Sequence, residues 1–142
     1  MKKNRILLLM LLMLSPSIYA QTIFGKWKTI DDRSGKAKSI VEIYKKDGKV
    51  YGAIRKILEK GKEDAVCIKC EGDLKNKPII GMKAIRGMKK DGDVYKGGKL
   101  FDPENNREFK GKIWLNPDNS DELMVRGYLA FFYRTQTWHR VR

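Results

Sequence analysis

The chain is 142 residues long and 42% hydrophobic, with 31 Lys plus Arg against 17 Asp plus Glu for a net charge of +14. That size suits one domain built on one core and excludes a multidomain architecture. Two cysteines and one histidine are too few for a four-ligand zinc site unless a carboxylate completes the set.

The N-terminus, MKKNRILLLMLLMLSPSIYA, runs from a basic start (Lys2, Lys3, Arg5) through an apolar stretch, Ile6 to Leu14, to Ser15-Pro16 and the small residue Ala20. This is the layout of a cleaved secretory signal over residues 1–20, which leaves a mature domain over 21–142 and predicts export to the periplasm or beyond. A membrane anchor fits less well, because nine residues of helix rise only about 13 Å against a hydrocarbon core of roughly 30 Å. No cysteine lies near the expected cleavage point after Ala20 to carry a lipid. Inside a cell the basic excess would point to nucleic acid through phosphate neutralisation. Export argues against that partner, and so does the scatter of lysines through nearly every segment. A dispersed charge reads first as a solvated exterior and second as attraction to an anionic envelope surface, lipid headgroup or glycan.

From Thr22 onward, apolar residues recur at alternate positions between turn signals, the period of half-buried strands. TIFGKWKTI sets Ile23, Gly25, Trp27 and Thr29 on one face and ends at Asp31-Asp32-Arg33-Ser34-Gly35. KSIVEIYKK follows and stops at Asp47-Gly48, a strong hairpin dipeptide. KVYGAIRKIL is the third strand. Residues 59–77 are charged and nearly free of apolar side chains except around CIKC, and form the longest loop. A strand is expected over IIGMKAIRGMKK, since Gly81 and Gly87 oppose the helical spacing of its isoleucines and methionines. DVYKGGKLF, REFKGKIWL, ELMVRGYLAFF and RTQTWHRV complete the set. About eight strands joined by short turns predict an all-β fold, a single antiparallel up-and-down barrel, with a two-sheet sandwich as the alternative.

Gly25 and Trp27 on the first strand, with Arg134, Gln136, Trp138 and Arg140 sharing a face of the last, resemble the lipocalin and calycin barrels, in which a late arginine covers the first-strand tryptophan at the closed end. The resemblance implies a structural closure formed by Gly25, Trp27, Arg134 and Arg140. A wider resemblance rests on GKWKTIDDRSGKAKSIVEIY, on CIKC followed by KPIIGM, and on YKGGKLFDPENN, VRGY and RTQTWHR. In these the chain is similar to the exported bacterial family DUF2147, of uncharacterised function, which implies a lipocalin-like barrel and no established catalytic residues. It departs from that family at Asn106 and across Leu129 to Tyr133, where a glycine is usual; the second change leaves an aromatic lip, Phe131-Phe132-Tyr133.

No catalytic residue is expected. Cys67 and Cys70 lack the βαβ setting of a redox dithiol, so the preferred reading is a disulfide staple in an oxidising compartment, ahead of a redox-responsive switch and of a metal site. His139 reads as an ordinary strand histidine. Asp31, Asp32, Asp102 and Glu104 could pair for acid–base work but lie at turns, where geometry uses them first. No cofactor is implied. The apolar side chains carry the functional expectation: Tyr44, Tyr51, Ile54, Met82, Ile85, Tyr95, Trp114, Met124 and Tyr128 are the candidates to line a barrel interior around a small hydrophobic ligand, with Val50, Met88, Phe109 and Phe131 beside them. Non-enzymatic carriage of a lipid-like molecule is the leading reading. A cell-envelope interaction module working through the basic surface is the alternative.

Overall fold

The structure, a computed structural model, describes residues 21–142; the leader expected over 1–20 lies outside the described residues. Eight strands follow in chain order: β1 (Gly25–Ile30), β2 (Ala37–Lys46), β3 (Lys49–Ile57), β4 (Lys83–Asp91), β5 (Val94–Asp102), β6 (Arg107–Asn116), β7 (Asn119–Leu129) and β8 (Phe132–Arg140). Each pairs with its sequence neighbour and β8 returns antiparallel to β1, which closes the barrel. The helical content among the described residues is one turn of 3-10 helix, Gly72–Leu74.

Turn chemistry sets the ends of the strands. Asp47 and Gly48 both hold positive φ, 50° and 75°, as a two-residue hairpin with the right-handed twist of its strands requires. Two boundaries differ from the sequence expectation. The fourth strand starts at Lys83 and not at Ile79: the Ile79 amide donates to Ala65 O and the Gly81 amide to Ile54 O, so residues 79–82 fold into the long loop. Phe132 opens β8 and does not close β7, which leaves a two-residue link at Ala130-Phe131.

An even number of strands divides the connections between two ends. At one end lie the tight β2–β3, β4–β5 and β6–β7 turns and the segments flanking β1 and β8. At the other lie residues 31–36, 58–82, 103–106 and 130–131. The first end is packed solid by Ile23, Trp27, Ile43, Val50, Ile85, Met88, Ile113 and Leu123, none more than 2% exposed. The strands also cross closely: a Cβ on Gly98 would stand 2.2 Å from the Arg86 carbonyl oxygen. Bulges at Ile40/Val41, Val50/Gly52 and Lys96/Gly98 reset which residues face inward.

The tryptophan closure is built by Arg140. Its guanidinium lies 4.2 Å from the Trp27 ring centroid, and it donates to the carbonyl oxygens of Thr22 (2.8 Å), Phe24 (3.3 Å) and Ser120 (3.0 Å). Trp27 Nε1 donates to Ile23 O at 2.8 Å, so the buried indole is satisfied. Arg134 takes no part in this closure. The β1–β8 register opposes Trp27 to Arg140, and six residues of strand, about 20 Å, carry Arg134 to the opposite end.

Candidate functional site

The loop-bearing end is hollow. A cavity of about 780 Å³ opens there, walled by Val41 of β2, Ile54 and Ile57 of β3, Leu100 of β5, Phe109 of β6, Val125 of β7 and Trp138 of β8. Gly127 contributes to the space: the nearest atoms to a Cβ placed on it would be 3.7 Å away, on Leu100 and Phe109. A second depression, about 590 Å³ between Leu74 and Arg86, lies outside the barrel and is wide open to solvent. The interior cavity is the better candidate because it is more enclosed and walled by inward strand positions.

One wall carries polar groups in sequence from depth to mouth. Trp138 Nε1 donates to Gln136 Oε1 at 3.1 Å, and Gln136 Nε2 donates to Asp32 Oδ2 at 2.6 Å. Arg134 closes the series by pairing with the same Asp32 carboxylate. Strand alternation places Arg134, Gln136 and Trp138 on one face, and β1 delivers Asp32 just past its end. Beside them, Thr29 and Ser39 share a hydroxyl–hydroxyl hydrogen bond of 2.8 Å. The cavity is thus walled by apolar side chains at depth, with polar groups along β8, at Thr29 and Ser39, and around the mouth.

The rim is charged and internally paired. Lys38 meets Glu104 at 2.5 Å, and Lys62 meets Glu59 at 2.8 Å and Glu104 at 3.9 Å; the hydrogen bond that Lys62 donates to Glu59 raises its pKa above the ordinary lysine value. Asp31 accepts from the Ser34 and Arg33 amides at 2.7 and 3.0 Å, and the Ser34 amide above all holds its carboxyl below the usual range. Asp102 accepts from the Glu104 amide and from Asn105. The four turn carboxylates therefore each cap a turn or pair with a cation.

CIKC stands at this same end. Cys67 and Cys70 form a disulfide with Cα atoms 5.3 Å apart, and the loop is pinned by Cys67 N–H to Lys77 O and Asn76 N–H to Cys67 O, both 2.9 Å. Cys67 is fully buried, with its sulfur 2.9 Å from Pro103 O in the β5–β6 turn. An oxidised sulfur has no proton to donate, so this is a packing contact that joins the long loop to the rim.

The nine residues expected to line the interior divide sharply. Ile54 is on the cavity wall and Tyr128 borders its rim. Ile85 is inside but belongs to the packed half, and Tyr95 packs against that half, paired with Ile113. Met82 is buried in the long loop just before β4. The other four are on the outside. Tyr44 and Tyr51 oppose each other across β2 and β3, ring centroids 6.0 Å apart, with Lys83 over Tyr51. Trp114 opposes Met124 and lies beneath Lys112 and Arg126, at 5.1 and 5.2 Å. Their faces are set by Ile43, Ile113, Leu123 and Val125, which alternation turns inward. Thr29, Val41, Ile57, Leu100, Val125, Gln136 and Trp138 are the wall residues that the expectation left out. Counting lysine and arginine on each strand face would have found them: Lys110 and Lys112 share the face of Trp114, and Arg126 that of Met124 and Tyr128.

No curated protein matches the chain. Among solved structures, the fold is similar to that of a protein from the human pathogen Helicobacter pylori described as belonging to the lipocalin family, with a TM-score of 0.72 at 20% identity over 85% of this chain and 84% of that one. At that identity the likeness is one of fold. Among the described residues no helix is long and apolar enough to cross a membrane. The family model described as an uncharacterized protein conserved in bacteria, DUF2147, matches residues 25–140, and the chain belongs to that family.

Proposed function

We propose that the protein is exported and that its barrel binds and carries a small, largely apolar, lipid-like ligand without chemical turnover. The observation that carries this reading is the cavity of about 780 Å³, apolar at depth with polar groups along β8 and around the mouth. An amphiphile fits that asymmetry, its tail against Val41, Ile54, Val125 and Trp138 and its polar end toward Gln136 and the Arg134–Asp32 pair. Each methylene removed from water gains about 0.8 kcal/mol, so an eight-carbon tail supplies roughly 6 kcal/mol before ordering costs. Export is supported by the N-terminal pattern and by a disulfide suited to an oxidising compartment.

The test is equilibrium binding of an apolar fluorescent dye, displaced by fatty acids of graded length, in the wild type and in Val125→Trp. The larger side chain enters the cavity from its wall, and dye affinity is expected to fall at least tenfold while the circular dichroism stays that of the barrel. Equal affinity in the folded variant would refute the reading. The competing interaction module predicts that the wild type and Val125→Trp alike take up no dye, and that binding to a protein, anionic lipid or glycan through the basic surface weakens with salt.

A further inference from the structure

The β7–β8 hairpin ends in the most exposed apolar group among the described residues. Phe131 is 98% exposed, Phe132 77% and Leu129 61%, and all three sit on a tip that stands at the cavity mouth, with Leu129 and Phe132 on its border. Behind the tip, Tyr128 and Tyr133 form a cross-strand pair with ring centroids 6.2 Å apart. Lys110 stands level with Tyr128, its cross-strand partner, and behind the tyrosines Lys112 opposes Arg126. Arg126 lies 4.2 Å over the Tyr133 ring and donates to Thr135 Oγ1 at 2.7 Å. None of the ion pairs among the described residues involves Lys110, Lys112 or Arg126.

We infer that this hairpin docks the open end of the barrel onto an anionic phospholipid bilayer. The order of side chains along it matches the order of a leaflet from inside to outside. Two residues of strand, about 7 Å, separate Phe131 from the tyrosine level, the depth to which interfacial segments bury their apolar groups. Tyrosine is the side chain that prefers the boundary, with an apolar body and a polar end. Another two residues bring the chain to Arg126 and Lys112, level with the headgroups, where unpaired cations meet lipid phosphates. A hairpin tip two residues wide presents far less area than the roughly 800 Å² per partner of a stable protein interface, whereas insertion into a fluid leaflet needs no matching surface. Ile68, 74% exposed on the long loop, gives the same end a second apolar point. Residues 21–142 carry 28 Lys plus Arg (31 less Lys2, Lys3 and Arg5) against 17 Asp plus Glu, and this net charge of +11 draws the whole domain toward an anionic surface. Docking in this orientation turns the cavity mouth to the leaflet, and it holds whatever ligand the cavity takes.

The test is sedimentation with vesicles of phosphatidylcholine alone and of phosphatidylcholine mixed with phosphatidylglycerol. Wild type, the double variant Phe131→Ser/Phe132→Ser, and Lys110→Glu/Lys112→Glu are compared, all with the same N-terminus so that any contribution of residues 1–20 cancels. The wild type binds the mixed vesicles; the double serine variant binds them at least tenfold more weakly; the charge-reversed variant loses its preference for them over neutral vesicles. A Phe131→Trp variant reports depth, its fluorescence shifting to the blue and being quenched by lipids brominated on the acyl chain. Thermal unfolding unchanged in the serine variant excludes a folding defect. Undiminished binding by the serine variant, no quenching of Phe131→Trp, or a tip that is buried instead in a concentration-dependent dimer overturns the proposal. Cavity binding is read separately by Val125→Trp, which leaves docking intact.

Discussion

Removing the Arg140 side chain separates two arginines that the sequence offers for the same role. The Arg140 side chain is 18% exposed, covers Trp27 at 4.2 Å and donates to three carbonyl oxygens, which ties the segment before β1 and the start of β7 to the last strand. Three hydrogen bonds at about 1 kcal/mol net each, and a ring contact of roughly 1 kcal/mol, give about 4 kcal/mol for Arg140→Ala. Arg140→Lys keeps a charge over the ring but cannot reach all three carbonyls from one ammonium, and costs about half as much. Arg134→Ala removes an ion pair from a side chain that is 64% exposed, and such pairs contribute about 0–1 kcal/mol. Urea unfolding followed by tryptophan fluorescence measures all three, and in a melt each kcal/mol shifts the midpoint by about 4 °C for a domain of this size. A cost for Arg134→Ala equal to that of Arg140→Ala, or an Arg140→Ala cost below about 1 kcal/mol, would refute the assignment of closure to Arg140 alone.

Gly98→Ala drives a Cβ to 2.2 Å from the Arg86 carbonyl oxygen, and because backbone cannot step aside cheaply the loss is about 3 kcal/mol or more. Gly127→Ala, whose nearest neighbours are side-chain atoms 3.7 Å off, costs under about 1 kcal/mol. Equal denaturation midpoints for the two would show that the β4–β5 crossing is looser than described. Ala130 turns the β7–β8 link with φ of 51°, a left-handed conformation costing an L residue about 1–2 kcal/mol. Ala130→Gly relieves it at an entropic cost of about 0.5–1 kcal/mol, so a gain of roughly 0.5–1 kcal/mol in urea unfolding is expected, and a loss would contradict the geometry.

The barrel was readable because its strands announce themselves twice, by alternation and by the Asp-Gly and Asp-Pro turns between them. Trp27 and its arginine were readable for a different reason, since a closed meander must bring first and last strands together. The lining was not readable from hydrophobicity alone. Tyr44, Tyr51 and Trp114 are large and apolar, yet Tyr51 and Trp114 lie under lysine or arginine side chains whose stems and charges cover the rings, and Tyr44 is covered by the stacked Tyr51. Size therefore mimics burial. The true wall is made of smaller residues such as Val41 and Val125, which is why room is left. The bulge between Val50 and Gly52 adds a further obstacle, because one skipped partner inverts every inference carried past it. Arg134 illustrates register: it shares a face with Arg140, and only the pairing of Trp27 with Arg140 decides which end each occupies.

The placement of the three longest links, residues 31–36, 58–82 and 103–106, at one end of the barrel has a consequence for tolerance to change. Residues 31–36 and the exposed parts of 58–82, outside the buried Cys67, Cys70, Ile79 and Met82, extend from a scaffold whose positions are already determined by the packed half around Trp27 and Leu123. Those links can be lengthened, shortened or exchanged with little effect on whether the chain folds, since closing a longer loop costs only a fraction of a kcal/mol per doubling. The selectivity of the cavity is thereby open to redesign as a separate variable: grafting a 58–82 segment that keeps Cys67, Cys70, Ile79 and Met82 buried would alter what enters, while the hairpins beneath would keep the scaffold unchanged.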